Sequence, residues 1–196
     1  MAMATAHRSC FLIAAGIGIA IPCVAGCHRE PSPAQPKEAL AEPRPAVIGA
    51  TEGERRFLRG GTAPLLIKID PVTTGSRHMV LGSSDLPPGD AIPLHRHLEE
   101  DEILLVTRGT ARVQLGRQSF MAGPGGAVFI PQGTCVAAAN AGPDTLTTTF
   151  IFSSPGFEQV LREVSSPAGA PPKSVSPTER AAAFHRGHAE AAPTKC

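Results

Sequence analysis

His95 and His97 stand two residues apart in the run LHRHLEEDE, residues 94–102. On a β-strand, side chains two apart share a face, so both imidazoles project the same way. Glu102 lies five residues beyond His97, the wrong parity for one uninterrupted strand. Residues 98–101 must therefore bend, so that a new strand begins with Glu102 facing inward and Leu104 and Val106 following it. Two imidazoles and one carboxylate at one point make a facial triad with open positions, a donor set that suits non-haem Fe(II) and tolerates Mn, Ni or Zn.

The same letters admit a plainer reading, because a His-x-His step before an acidic run is also a solvated surface. The surrounding chain decides between the two. An inward carboxylate and two inward imidazoles need partners, since a charge taken out of water costs several kcal/mol unless it is paired. A metal ion, or a hydrogen-bonded Glu–His cluster with water, would offset that cost.

From Leu65 the chain breaks into short β-type runs separated by turns, the pattern of an all-β sandwich or barrel. Strands are expected at Leu65–Ile69, His78–Ser83, Ala91–His97, Glu102–Arg108, Thr110–Leu115, Gln118–Ala122, Ala127–Ile130, Cys135–Asn140 and Leu146–Phe152. Pairs such as Asp70-Pro71, Arg108-Gly109 and Leu115-Gly116 mark the turns between them. Phe157–Val164, following Pro155-Gly156, reads as a short amphipathic helix. Residues 47–60 fit either a lead-in strand or a helix. Residues 178–190 are expected to form a helix that packs weakly or frays, on which His185 and His188 are a solvated pair. Ile103, Leu105 and Ile151 fall on the parity opposite to Glu102, which suggests a second apolar face covered by another protomer in a homodimer.

The spacing Gly89-x5-His95-x-His97-x4-Glu102-x6-Gly109 resembles the first signature of the cupin superfamily, with every fixed position filled. Gly125-x5-Pro131-x-Gly133-x2-Val136-x3-Asn140 resembles the second, except that Val136 stands where the family places a fourth ligand, a histidine. The likeness covers roughly residues 65–163. It implies a double-stranded β-helix, or jelly-roll, barrel of the single-domain type found in quercetin-dioxygenase-like cupins, and a divalent metal ion (Fe, Mn, Ni or Zn) on His95, His97 and Glu102. The missing histidine leaves such an ion three protein ligands in place of four. His78 swinging in, or Cys135 turned inward by a bulge, are two ways the place could be filled; water, or a lapsed site, are the others. Gly109, Gly116, Gly125 and Gly133 are expected to supply turns, Pro131 to set the entry to the Cys135 strand, and Asn140 to cap the turn that leaves it.

The N-terminus reads as an address. His7 and Arg8 precede an apolar run over residues 10–26, as in a secretory signal peptide, and Pro22 interrupts it. Val24-Ala25-Gly26-Cys27 resembles the lipobox of bacterial lipoproteins. That resemblance implies a mature chain beginning at Cys27, acylated there and anchored to a membrane facing the periplasm or cell exterior. An uncleaved anchor or a plain signal peptide is the alternative. The expected organisation is a signal peptide at 1–26, a disordered Pro-rich linker at 27–56, the cupin domain at 57–164, and a Pro-rich segment with a helical tail at 165–196. Of five cysteines, only Cys135 and Cys196 lie beyond residue 27, so there is no disulfide framework; one bridge between them requires an oxidising compartment and Cα atoms within reach.

A formal net charge of +1 with scattered Lys and Arg excludes a nucleic-acid footprint, and the absence of Trp and Tyr argues against recognition through large amphipathic aromatics. Two function classes remain. One is an exported enzyme, an oxygenase or less readily an isomerase, acting on a small molecule over the metal with Glu102 as a catalytic base. The other is a non-catalytic, membrane-tethered module that binds a small ligand or metal at a degenerate site. A purely structural lipoprotein would leave the His95–His97–Glu102 group unexplained.

Overall fold

The computed structural model describes residues 40–196; the signal-type segment and Cys27 lie outside them. Among the described residues no helix is long and apolar enough to cross a membrane. The described residues hold twelve strands and two α-helices in chain order: β1 (Glu54–Leu58), β2 (Ala63–Ile69), β3 (Val80–Leu86), β4 (Ala91–His97), β5 (Glu102–Arg108), β6 (Ala111–Leu115), β7 (Gln118–Ala122), β8 (Ala127–Ile130), β9 (Cys135–Asn140), β10 (Leu146–Phe152), α1 (Phe157–Val164), β11 (Ser166–Pro167), α2 (Pro177–Arg186) and β12 (Ala189–Ala191). They form two antiparallel sheets, ordered β11-β1-β2-β3-β10-β5-β8 and β12-β4-β9-β6-β7.

Alternation builds the interior. Leu146, Thr148, Phe150 and Phe152 of β10 are buried while the residues between them are half-buried, and Glu102, Leu104 and Val106 of β5 turn the same way against them. Gly82 on β3 sits directly opposite Phe150. A Cβ there would collide with the Phe150 ring, so the glycine is what lets that ring lie across the barrel interior. Outside, Ile103 is paired with Ile151 on one side and Phe129 on the other, and Ile103 and Phe129 are exposed.

Two expectations are corrected. The strand placed at His78 begins at Val80, because the Ser76 hydroxyl donates to the Met79 carbonyl (2.7 Å) and folds residues 76–79 into a turn that leaves His78 exposed. The tail does not fray. Ser176 and Glu179 form a reciprocal capping box at the start of α2, with Pro177 in its first turn. Gly187 then ends the helix against α1, where a Cβ would strike Val160. His188, in the left-handed region (φ 53°), turns the chain so that β12 pairs with the edge of β4. Cys196 is disulfide-bonded to Cys135, with their Cα atoms 5.7 Å apart. Residues 54–58 resolve the ambiguous lead-in as a strand. Upstream of it, Ala41 N–H donates to the Pro71 carbonyl at 2.8 Å, so part of the Pro-rich segment lies on the barrel.

The helix α1 is fixed by a polar cluster behind it. The Arg162 guanidinium meets Glu54 and Asp70, each at 2.6 Å, and Asp70 is fully buried. Arg56 donates to the Arg162 carbonyl at 2.7 Å. These contacts hold the apolar face of α1, with Phe157, Val160 and Val164 buried, over the core.

Candidate metal centre

The bend that parity demands lies at residues 98–101. Leu98 N–H donates to the His188 carbonyl at 2.8 Å, and the His97 carbonyl accepts from Gly133 N–H at 2.6 Å. Asp101 accepts from Gln132 N–H through its carboxylate (2.9 Å), while its own N–H donates to Ser153 Oγ (3.0 Å). With Leu98 and Asp101 pinned out of the ladder, β5 opens on Glu102 facing inward. His95, His97 and Glu102 are all buried, and one ligand atom from each lies within 4.8 Å of the others.

The outward nitrogens of both rings are engaged. His95 Nδ1 is 2.8 Å from the Pro93 carbonyl. A carbonyl can only accept, so Nδ1 carries the proton and Nε2 keeps its lone pair. His97 Nδ1 lies 3.3 Å from Oε1 of Glu100, a carboxylate that is 1% exposed. His97 Nε2 is buried with no hydrogen-bond partner among the described residues, although Glu102 Oε2 is 3.2 Å away. Glu100 is a buried partner of the triad that sequence reasoning missed.

The electrostatics split the two rings. Burial, reinforced by the neighbouring His97, lowers His95 to about 4. Burial acts to lower His97 too, but the carboxylates of Glu100 and Glu102 outweigh it and raise it to about 9. One imidazole is thus neutral and the other carries a proton between two carboxylates.

His95 and Glu102 of the triad line a cavity of about 200 Å³ with mainly apolar walls, among them Leu104, Val136, Phe150 and Phe152. Phe157 of α1 stacks on the His95 ring at 5.6 Å and meets His97 edge-on at 4.4 Å; Phe184 of α2 meets His95 edge-on at 6.1 Å. The two helices thus roof the site with rings.

Val136 is directly opposite His95 in the β4–β9 register and is buried in the cavity wall. Neither expected substitute takes its place. His78 is exposed, and Cys135 is bonded to Cys196. Among the described residues no other His, Cys, Asp or Glu joins the three.

Residues 82–152 match the family model described as "Cupin domain". The chain carries a cupin domain. Its barrel resembles the structure of a predicted oxalate decarboxylase from Thermotoga maritima, at 17% identity over 56% of this chain and 100% of that one, with a TM-score of 0.50. KdgF from Halomonas sp. is similar at 19% identity over 57% of this chain and 96% of that one, with a TM-score of 0.49. At such identities the likeness is one of fold. No curated protein matches.

The matched part of the cupin domain runs from β3 to β10 and holds the triad. The helices that roof it, and the strand β12 that flanks it, lie outside the match. Within the match the expected turn residues hold their places. Gly109, Gly116, Gly125 and Gly133 all have positive φ. Asn140 donates to the Leu86 and Asp144 carbonyls (2.9 and 2.7 Å) and accepts from Gly142 N–H at 2.9 Å, which closes the turn after β9.

Proposed function

We propose that this cupin domain binds a divalent metal ion (Fe, Mn, Ni or Zn) through His95, His97 and Glu102, and acts on a small organic molecule held over it as an oxygenase-type enzyme. The observation that carries the metal reading is the pair of engaged Nδ1 atoms. With Pro93 and Glu100 holding the outer nitrogens, both Nε2 atoms and the Glu102 carboxylate are left as the inward donor set. A bound ion would satisfy His97 Nε2, whose neighbour Glu102 Oε2, 3.2 Å away, is out of hydrogen-bond geometry. When bound, such an ion supplies Lewis acidity. The protein supplies the rest: Glu102 is placed to take a proton from a molecule in the cavity, and Phe157 and Phe184 exclude water above His95.

One observation favours the second reading, a binding module without turnover. Val136 faces His95 with a methyl-bearing wall where a fourth donor would stand, which extends apolar surface at the expense of the metal. The two readings separate on oxygen uptake by metal-reconstituted protein over a panel of small enols and phenols. Uptake that is lost in Glu102→Gln supports the enzyme, and saturable ligand binding without uptake supports the module.

We further infer an exported protein, acylated at Cys27 and held at a membrane surface. The bonded Cys135–Cys196 pair supports this reading, because disulfides persist in oxidising compartments. Cys27→Ser should release the protein from membranes, whereas continued attachment would point to an uncleaved anchor.

A further inference from the structure

The cavity is lined by buried polar groups and by two less buried cations, Arg59 exposed and Arg180 half-buried. At the deep end stand His95 and Glu102, both less than a tenth exposed. At the outer end stand two arginines, Arg59 from the 3-10 turn after β1 and Arg180 from the first turns of α2. They differ in engagement. Arg59 is paired with Asp90 at 2.6 Å and also donates to the Ala91 carbonyl. The Arg180 guanidinium makes no hydrogen bond or ion pair among the described residues. Glu179, the preceding residue, is spent on capping Ser176.

Arg180 also belongs to a second hollow that adjoins the first, sharing Arg59 and Val164 with it and adding Lys173. Lys173 donates to the Glu163 carbonyl at 2.5 Å and lies close enough to Glu179 to help hold that carboxylate below its ordinary value. No carboxylate lines this hollow. Of the three cations around the outer end, Arg59 is paired with Asp90 and Lys173 has the Glu179 carboxylate near it, which leaves the Arg180 guanidinium as the cation without a direct partner among the described residues; Glu102 is the one acid among the cavity's lining residues.

From this arrangement we propose that the cavity's ligand is an apolar molecule bearing a carboxylate, with Arg180 as the anchor for that group and the apolar body pointing towards His95 and Glu102. This rests on the reading of the cavity as the binding site and adds the substrate class to it. An arginine fork matches a carboxylate in plane and charge. The size follows from the volume. A dry engineered cavity of about 150 Å³ accepts benzene, so the 200 Å³ here holds one six-membered ring and a short chain.

The test is calorimetric titration of the full chain with 3-phenylpropionate and with its neutral isostere 3-phenylpropanamide, each with chelator-treated and with Zn²⁺-loaded protein. The acid should bind about tenfold or more tightly than the amide in both forms. Arg180→Ala should remove that preference by weakening the acid far more than the amide, and Arg180→Lys should keep part of it. Equal binding of acid and amide, failure of both to bind at millimolar concentration, or a preference that survives Arg180→Ala would overturn the assignment. A preference seen only with Zn²⁺ and untouched by Arg180→Ala would overturn it too, by placing the carboxylate on the metal; the metal site itself would then stand.

Discussion

Glu100 Oε1 lies 3.3 Å from His97 Nδ1, with both side chains 1% exposed. A buried carboxylate behind a metal-ligating histidine fixes the ring's orientation and tautomer and raises its basicity. Glu100→Ala should therefore weaken Zn²⁺ binding about 10–100-fold, with Glu100→Gln in between because the amide oxygen can still accept. Competition titration against a chromophoric chelator measures it. Unchanged affinity in Glu100→Ala would mean that the contact does not support His97.

The two histidines give opposite pH signatures. His97 is raised to about 9, so its contribution to the stability of the metal-free protein is complete below its ordinary value of 6.5 and is lost as pH rises through 9. His95 is lowered to about 4, so its contribution is complete above 6.5 and fades as pH falls towards 4. Metal must displace the His97 proton, so apparent affinity should rise about tenfold per pH unit between 7 and 9. Metal titrations at three pH values across that window check the slope. A flat profile would place no proton on the ring.

Val136 and His95 oppose each other on neighbouring strands, close enough for side chains on the same face to touch. Val136→His should therefore tighten metal binding, by about tenfold or more, if the new ring reaches the ion. The same competition titration reads it. No change would show that position 136 cannot deliver a donor.

The Cys135–Cys196 bond spans 61 residues of sequence and ties down the segment that carries α2 and β12. By chain entropy a loop of that size is worth about 4 kcal/mol. Cys196→Ser should lower the urea midpoint accordingly and speed amide exchange in β12. Equal midpoints would mean the strap is held by its strand pairing alone.

How much of this was legible in the sequence differs residue by residue. The convergence of His95, His97 and Glu102 follows from strand parity and a forced bend, and the fold bears it out. Val136 as an odd wall residue was legible from its place in the second signature. Glu100 was not, because in EEDE each acid has the same letter-level claim to face inward, and only the bend's hydrogen bonds choose. The tail was misread for a related reason. FHRGHAEAAPTKC has little apolar alternation, so β12 owes its existence to the open edge of β4 and to the bond at Cys196, neither of which is a local property. Likewise Cys135 and Cys196 were a pair in principle, and only the fold brings their backbones within bonding distance.

The most direct measurement is the metal content of the full chain, purified without affinity tag or chelator and compared with His97→Ala. The account predicts close to one equivalent of Fe, Mn, Ni or Zn in the natural sequence and its loss in a folded His97→Ala variant. No metal even after reconstitution, or undiminished metal in His97→Ala, would contradict it.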